Sequence, residues 1–186
     1  MSSAPRIIQI AVLGDGGVGK TAMLRRFKGL PFQARYKMTI GADFVIKRLK
    51  YNNQDLTLQI YDVGGQPKFS YLRAQYYNRA EAVVVVFDLL NRATYESIPN
   101  WLDEILEKNN YRFLPLLLVG NKEDLKSDQS PEVSAEEIAE YTKVLENWGK
   151  SYSDEFEVIY RETSAKTNHN IEDGFLSLID IVLDES

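Results

Sequence analysis

The chain has 186 residues, 44% of them hydrophobic, which suits one domain with a sizeable core. Its net charge of −5 and the lack of any long Lys/Arg cluster argue against nucleic acid as a partner. With no cysteine, disulfides, thiol catalysis, thiolate metal sites, palmitoylation and prenylation are excluded, which fits a reducing cytosol.

The opening Met1-Ser2-Ser3-Ala4-Pro5 lacks the charged-then-apolar pattern of a signal sequence, and Ser2 stands where myristoylation needs glycine. No apolar run is long enough to span a bilayer. Ile7 to Leu13 reads as a buried strand, and Ala22 to Phe27 as a helix. Between them Gly14-Asp15-Gly16-Gly17-Val18-Gly19-Lys20-Thr21 matches G-x-x-x-x-G-K-[ST]. Glycines let consecutive N–H groups turn inward on phosphate oxygens, Lys20 supplies a point charge, and the Thr21 hydroxyl suits a magnesium ion. The helix that follows aims its positive end at the same place. A chance glycine-rich turn is the alternative; the strand before and the helix after speak against it.

Gly29 to Gly41, bracketed by Gly and Pro without a clear period, reads as a long surface loop. Ala42 to Tyr51 and Leu56 to Tyr61 form an antiparallel hairpin around Asn52-Asn53. Asp62 then stands at a strand end, followed by Val63-Gly64-Gly65-Gln66-Pro67, and Lys68 to Arg79 looks helical. Ala82 to Phe87 is an apolar run suited to a strand covered on both faces. Thr94 to Lys108 is a helix with apolar spacing at Ile98, Trp101, Leu102, Ile105 and Leu106, and Phe113 to Val119 is another buried strand. It leads into Gly120-Asn121-Lys122-Glu123-Asp124. Ser134-Ala135-Glu136-Glu137 is a capping box for a helix to about Trp148, with Gly149 and Ser151 to Asp154 punctuating its end. Glu155 to Tyr160 is a short strand, Glu162 to Lys166 a loop, and Asn170 to about Leu183 the last helix. The alternation predicts an α/β fold: six strands, mostly parallel, one antiparallel edge hairpin, helices on both faces. The unusual loops fall at the carboxyl ends of strands, where such sheets bind ligands.

Asp62 alone could cap the next helix or hold magnesium. Asn121 to Asp124 alone could be a polar turn. Yet a carboxylate such as Asp124 accepts two hydrogen bonds from the N1–H and 2-amino group of guanine, a donor pair adenine lacks, and an Asn amide suits the Hoogsteen edge.

Taken together, Gly14–Thr21, Thr39, Asp62-Val63-Gly64-Gly65-Gln66, Asn121-Lys122-Glu123-Asp124 and Ser164-Ala165-Lys166 resemble the five signatures of the Ras superfamily of small GTPases, across roughly residues 6–184. Tyr36 to Phe44, Tyr76 to Ala80 and Asn91 to Ile98 look most like the Rab family. The resemblance implies a phosphate-loop NTPase fold, a single G domain over residues 1–186, bound GDP or GTP, and Mg2+. It places Gly14, Asp15, Gly16, Gly17, Val18, Gly19, Lys20, Thr21 and Ala22 around the phosphates, with Tyr36 nearby. Thr21, Thr39 and Asp62 would serve the metal. Thr39 and the Gly65 N–H would contact the γ-phosphate, and Gln66 would orient the attacking water. Phe32 and the Lys122 stem would cover the guanine, Asn121 and Asp124 would read it, and Ser164, Ala165 and Lys166 would close its far side. Phe44, Tyr61 and Tyr76 match the aromatic triad by which Rabs meet effectors; packing between strand and switch is the bland reading of the same rings. Effectors, exchange factors and activating proteins would engage residues around 32–46 and 62–80 of a cytoplasmic monomer.

The chain departs from the pattern in places. Pro67 follows Gln66 where Rabs usually carry Glu, and proline biases the preceding backbone toward extended conformations. Pro67→Glu is expected to change the single-turnover rate. Arg35 lies one position from where heterotrimeric G proteins carry a catalytic arginine; surface charge is the default reading. Without such an arginine, stabilisation of about 10³–10⁵-fold is missing, so intrinsic turnover should be slow. Residues 127–160 form a longer segment than in typical Rabs, expected as a surface extension. Rabs usually end in a flexible tail with prenylated cysteines, and this chain ends at Asp184-Glu185-Ser186. A shortened chain and an unlipidated relative both fit, and the absence of cysteine leans to the second. Two other functions stay open: a GTP-binding scaffold that scarcely hydrolyses, to which only Pro67 points, and another phosphate-loop enzyme such as a small-molecule kinase, against which Asn121 to Asp124 argue.

Overall fold

The structure, a computed structural model, describes residues 5–34, 39, 42–63, 70–153 and 156–184. Six strands form one sheet: β1 (Arg6–Leu13), β2 (Ala42–Tyr51), β3 (Gln54–Val63), β4 (Ala82–Asp88), β5 (Leu116–Asn121) and β6 (Val158–Thr163). Their order is β2-β3-β1-β4-β5-β6, parallel throughout except for the edge pair β2 and β3. That pair turns at Asn52 and Asn53, with φ of 47° and 63°. Two left-handed residues in a two-residue loop match the right-handed twist of the strands, and asparagine tolerates that conformation.

The side-chain period of two divides the strands between two cores. Ile8, Ile10 and Val12 of β1 and Ala82, Val84 and Val86 of β4 pack with α1 (Lys20–Phe27) and α6 (Ile171–Asp184), where Phe27 and Phe175 stack at 4.1 Å. Ala11 and Leu13 of β1 and Val83, Val85 and Phe87 of β4 pack on the other face with α2 (Ser70–Tyr77), α4 (Ile98–Lys108) and α5 (Ala135–Lys150). β1, β4 and β5 are thereby covered on both sides, as their apolar runs require.

Four boundaries differ from expectation, each for a physical reason. The helix read from Thr94 to Lys108 is two: α3 (Arg92–Glu96), then α4 beginning at Ile98. Pro99 has no N–H for the carbonyl four residues back and its ring crowds that position, so the helix restarts with proline in its first turn. The strand expected from Phe113 begins at Leu116, because Pro115 cannot donate to the ladder and Phe113 turns into an aromatic cluster with Trp148, Tyr152 and Phe156. The strand expected from Glu155 begins at Val158, Phe156 having joined the same cluster. Finally, α5 runs through Gly149 rather than stopping there. A Cβ at Gly149 would lie 1.8 Å from the Phe156 ring, so glycine serves close packing, not termination. Among the described residues no helix is long and apolar enough to cross a membrane.

Candidate functional site

The loop from Gly14 to Gly19 leaves β1 pressed against its neighbours. Gly14 has φ 132° and a Cβ there would sit 2.1 Å from the Val86 carbonyl oxygen of β4. Gly19 has φ 100°, and its Cβ would meet the Asn121 amide nitrogen at 2.3 Å. Only glycine satisfies both the left-handed backbone and the contact. Gly16 and Gly17 stand exposed, Asp15 is half-buried, and Val18 plugs the loop into the core. Ala22 packs lightly on that core behind it. Lys20 folds back over the loop, its ammonium donating to the carbonyls of Gly14 at 2.6 Å and Asp15 at 2.8 Å. Burial pulls its pKa down to about 8, opposed by the carboxylates of Asp62 and Asp15. Helix α1 starts on Gly19 without a side-chain cap and without an acid in its first turn. A buried cation beside an uncapped helix start is a seat for phosphate.

Beneath Lys20, three oxygen groups meet. The Thr21 hydroxyl donates to Asp62 Oδ2 at 2.5 Å and lies 2.9 Å from the Thr39 hydroxyl. Thr21 has one proton and spends it on Asp62, so Thr39 donates to Thr21. Asp62 is 1% exposed, burial raises its pKa, and its Oδ1 has no hydrogen-bond partner among the described residues. A buried carboxylate oxygen without a partner is costly. Two hydroxyls and that oxygen form a hard-oxygen set, the donor chemistry of magnesium, so the residues present fit the ion.

The loops after β5 and β6 interlock. Asn121 is buried; its amide donates to the Val18 carbonyl at 2.7 Å, and its Oδ1 accepts from the Thr163 hydroxyl at 3.1 Å and the Ala165 N–H at 3.3 Å. One side chain thus ties the loops after β1, β5 and β6 together. Lys122 takes φ 69° and reaches Asp88 Oδ2 at 2.6 Å, laying its stem along the site. Asp124 Oδ1 accepts from the Ser164 hydroxyl at 2.6 Å, which in turn accepts the Thr167 N–H; Lys166 stands 3.6 Å from the other oxygen. His169 bridges Ser164 through its backbone and sets Nδ1 3.5 Å from Glu123. Phe32 is half-exposed on the segment after α1. Arg35, Tyr36, Gly65, Gln66 and Pro67 lie outside the described residues.

Some partners went unread. Trp101, which looks like one more apolar position on α4, donates its indole N–H to Asp15 Oδ1 at 2.9 Å. The available signal was chemical: a tryptophan in a core needs an acceptor. Arg73 of α2 lies 5.1 Å over the same ring and grips Glu104 with Nε and Nη2 at 2.5 and 2.7 Å, while the Tyr77 hydroxyl adds a third bond to Glu104 at 3.1 Å. Asp88, the acid ending an otherwise apolar strand, positions Lys122. On the opposite side, Phe44, Tyr61 and Tyr76 form a row of rings with centroids 5.3 and 4.6 Å apart, and Phe44 and Ile46 expose adjacent apolar surface on β2.

Comparison with known proteins agrees with this geometry. The family described as "Ras family" matches residues 9–184. "Ras-related protein RABG3b" of Arabidopsis thaliana is 35% identical over 180 residues, covering 95% of this chain and 84% of the relative. "Ras-related protein Rab7" of Glycine max is 34% identical over 175 residues, covering 92% and 80%. "GTP-binding protein YPTC5" of Chlamydomonas reinhardtii is 34% identical over 176 residues, covering 91% and 79%.

Proposed function

This chain belongs to the Ras family and is a Rab-like small GTPase, and we propose that it cleaves bound GTP slowly, using Gln66, Lys20, Thr39 and Gly65 around the γ-phosphate. The observation that carries the reading is the Thr39–Thr21–Asp62 relay with its unpartnered Asp62 Oδ1, lying under a buried lysine at an uncapped helix start. Thr21, Thr39 and Asp62 hold Mg2+, which supplies positive charge to the phosphate oxygens. Lys20 exchanges its two carbonyl partners for phosphate oxygens, and the N–H groups from Gly16 to Ala22 wrap the rest. Gln66 orients a water in line with the bond to the leaving β-phosphate oxygen, so that water adds, that bond breaks, and GDP and phosphate result.

Base selection falls to Asp124, held by Ser164 with one oxygen weakly engaged, and to the Lys122 stem fixed by Asp88. Asn121 acts chiefly as the tie that keeps Ala165 and the phosphate loop in register, and Phe32 covers the base from the open side. Loss of the γ-phosphate releases Thr39 and Gly65, which is the switch. Effectors, exchange factors and activating proteins meet residues around 32–46 and 62–80, where the Phe44–Tyr61–Tyr76 row and Ile46 offer an apolar face. We assign the whole chain to one G domain, monomeric and cytoplasmic, reaching membranes only through a partner or a lipidated tail, in intracellular signalling or vesicle trafficking. Pro67 apart, nothing among the described residues or the relatives favours the scaffold that binds GTP without cleaving it.

Single-turnover hydrolysis of bound GTP, with ATP as competitor and Gln66→Leu as control, tests the proposal. Selective GTP binding with slow, Gln66-dependent cleavage is expected. Tight binding with no cleavage over long incubation would overturn the hydrolytic roles; displacement by ATP would overturn the base-reading roles.

A further inference from the structure

Trp101 and Glu104 stand one turn apart on α4, so they share a helix face. That face meets two separate parts of the nucleotide site. Trp101 donates its indole N–H to Asp15 Oδ1 of the phosphate loop at 2.9 Å. Glu104 accepts from both Nε and Nη2 of Arg73 on α2, the helix that follows Gly65 and Gln66 in sequence. Held in this fork, the Arg73 guanidinium lies 5.1 Å over the Trp101 ring. Trp101 is 8% exposed and Arg73 2% exposed, so water does little to weaken either contact. The contacts run without a gap from loop carboxylate to indole N–H, from indole face to guanidinium, and from guanidinium into α2.

A plain core role does not account for the acceptor. A buried indole needs one hydrogen-bond acceptor, and any carbonyl serves. Here the indole takes the only acid between Gly14 and Thr21. A carboxylate in a loop that receives phosphate repels its ligand by like charge unless its side chain is fixed away. Asp15 divides its groups accordingly. Its carbonyl accepts from the Lys20 ammonium at 2.8 Å, while its carboxylate is tied to α4. Among the described residues, the Trp101 indole is the one group that donates to that carboxylate.

We propose that Trp101 is a positioning residue for nucleotide binding: its N–H holds the Asp15 carboxylate off the phosphates, and its ring passes the position of α2 to the phosphate loop through Arg73. It rests on guanine-nucleotide binding as proposed above and adds a residue to that site. When loss of the γ-phosphate frees Gly65, α2 is displaced, Arg73 shifts on the ring, and the bond from the indole to Asp15 changes with it. Trp101 is not a catalytic residue, since it acts on the phosphates only through Asp15.

The test uses the full chain and two readouts. In the first, the indole N–H signals of Trp101 and Trp148 are recorded by NMR with GDP and with a non-hydrolysable GTP analogue, and Trp148→Phe assigns them. The Trp101 signal is expected to differ between nucleotide states and to move on Asp15→Asn. The Trp148 signal, from a ring packed among Phe113 and Tyr152 on α5, is expected to stay. In the second, release of labelled GDP is timed. Trp101→Phe keeps an aromatic ring and removes the donor. It is expected to speed release about tenfold in the native background and by less than about twofold in the Asp15→Asn background. Equal acceleration in both backgrounds would make Trp101 a packing residue and overturn the positioning role, as would no acceleration in either. A Trp101 signal identical in the two nucleotide states would overturn the link to α2. Should Trp101→Phe fail to fold, the Trp101 signal in the native chain and in Asp15→Asn decides alone: unmoved, it overturns the proposal. Failure of this proposal leaves tight GDP binding and Gln66-dependent cleavage intact, whereas a chain that retained no GDP would overturn the nucleotide-binding reading beneath it.

Discussion

The β1–α1 region and the β5–α5–β6 region belong to one sheet, with β4 between them, and settle their polar groups in opposite ways. Helix α1 begins on a left-handed glycine with no side-chain cap, beside a buried lysine bonded to two carbonyls and a carboxylate oxygen of Asp62 without a partner among the described residues. Helix α5 begins with a complete capping box, Ser134 taking the Glu137 N–H and Glu137 taking the Ser134 N–H. Its far end is sealed by four stacked or edge-on aromatic rings. The open region is built for charge that arrives from outside; the closed region satisfies itself. The contrast points to where stability is given up for binding, since native proteins leave few buried polar groups unpaired and a ligand that completes them is one reason for doing so.

Asn121 joins the two regions, so replacing it should have the largest effect. Asn121→Ala removes bonds to Val18, Thr163 and Ala165 together and should lower the unfolding free energy by about 3 kcal/mol, read by urea denaturation. A loss below a third of that would mean that the two regions are not coupled through this amide. Within the closed region, Gly149→Ala forces a methyl into the Phe156 ring and should cost about 2 kcal/mol, with nucleotide still retained by the folded fraction. Unchanged stability would show that α5 and Phe156 shift apart freely.

The open region should respond with the opposite sign. Lys20→Met removes a charge held out of water and should stabilise the nucleotide-free protein by about 1.5 kcal/mol, while tight nucleotide binding is lost. Calorimetry of the nucleotide-free protein, paired with a nucleotide-retention assay, separates the two effects; a destabilised Lys20→Met would break the contrast. Ser134→Ala should cost about 1 kcal/mol by opening the capping box, with no change in nucleotide retention. If retention also fell, the start of α5 would belong to the site after all.

How much of this was legible beforehand follows from the range of each interaction. The phosphate loop, the hairpin turn at Asn52-Asn53 and the capping box are written in residues within eight positions of each other, and local backbone chemistry dictates them. The six strands and their two-faced burial follow from apolar periodicity. The breaks at Pro99 and Pro115 were equally local, yet apolar patterning carried the expected elements across both. Proline's missing N–H was the stronger signal.

What the chain alone determined is therefore its set of elements, its nucleotide signatures and the family they resemble. The tertiary structure decided which side chains meet. The Asn121 amide could face a ligand or a carbonyl, and the close approach of Val18 turned it to the carbonyl. Trp101 could be a plain core residue, and the position of Asp15, 86 residues away in sequence, made it a donor. Phe113 and Phe156 could extend strands, and the arrival of Trp148 and Tyr152 drew them out of the ladder into a cluster. These pairings depend on distance in space. A one-dimensional pattern carries periodicity and local backbone preference, but not which of several chemically adequate partners the fold brings within 3 Å.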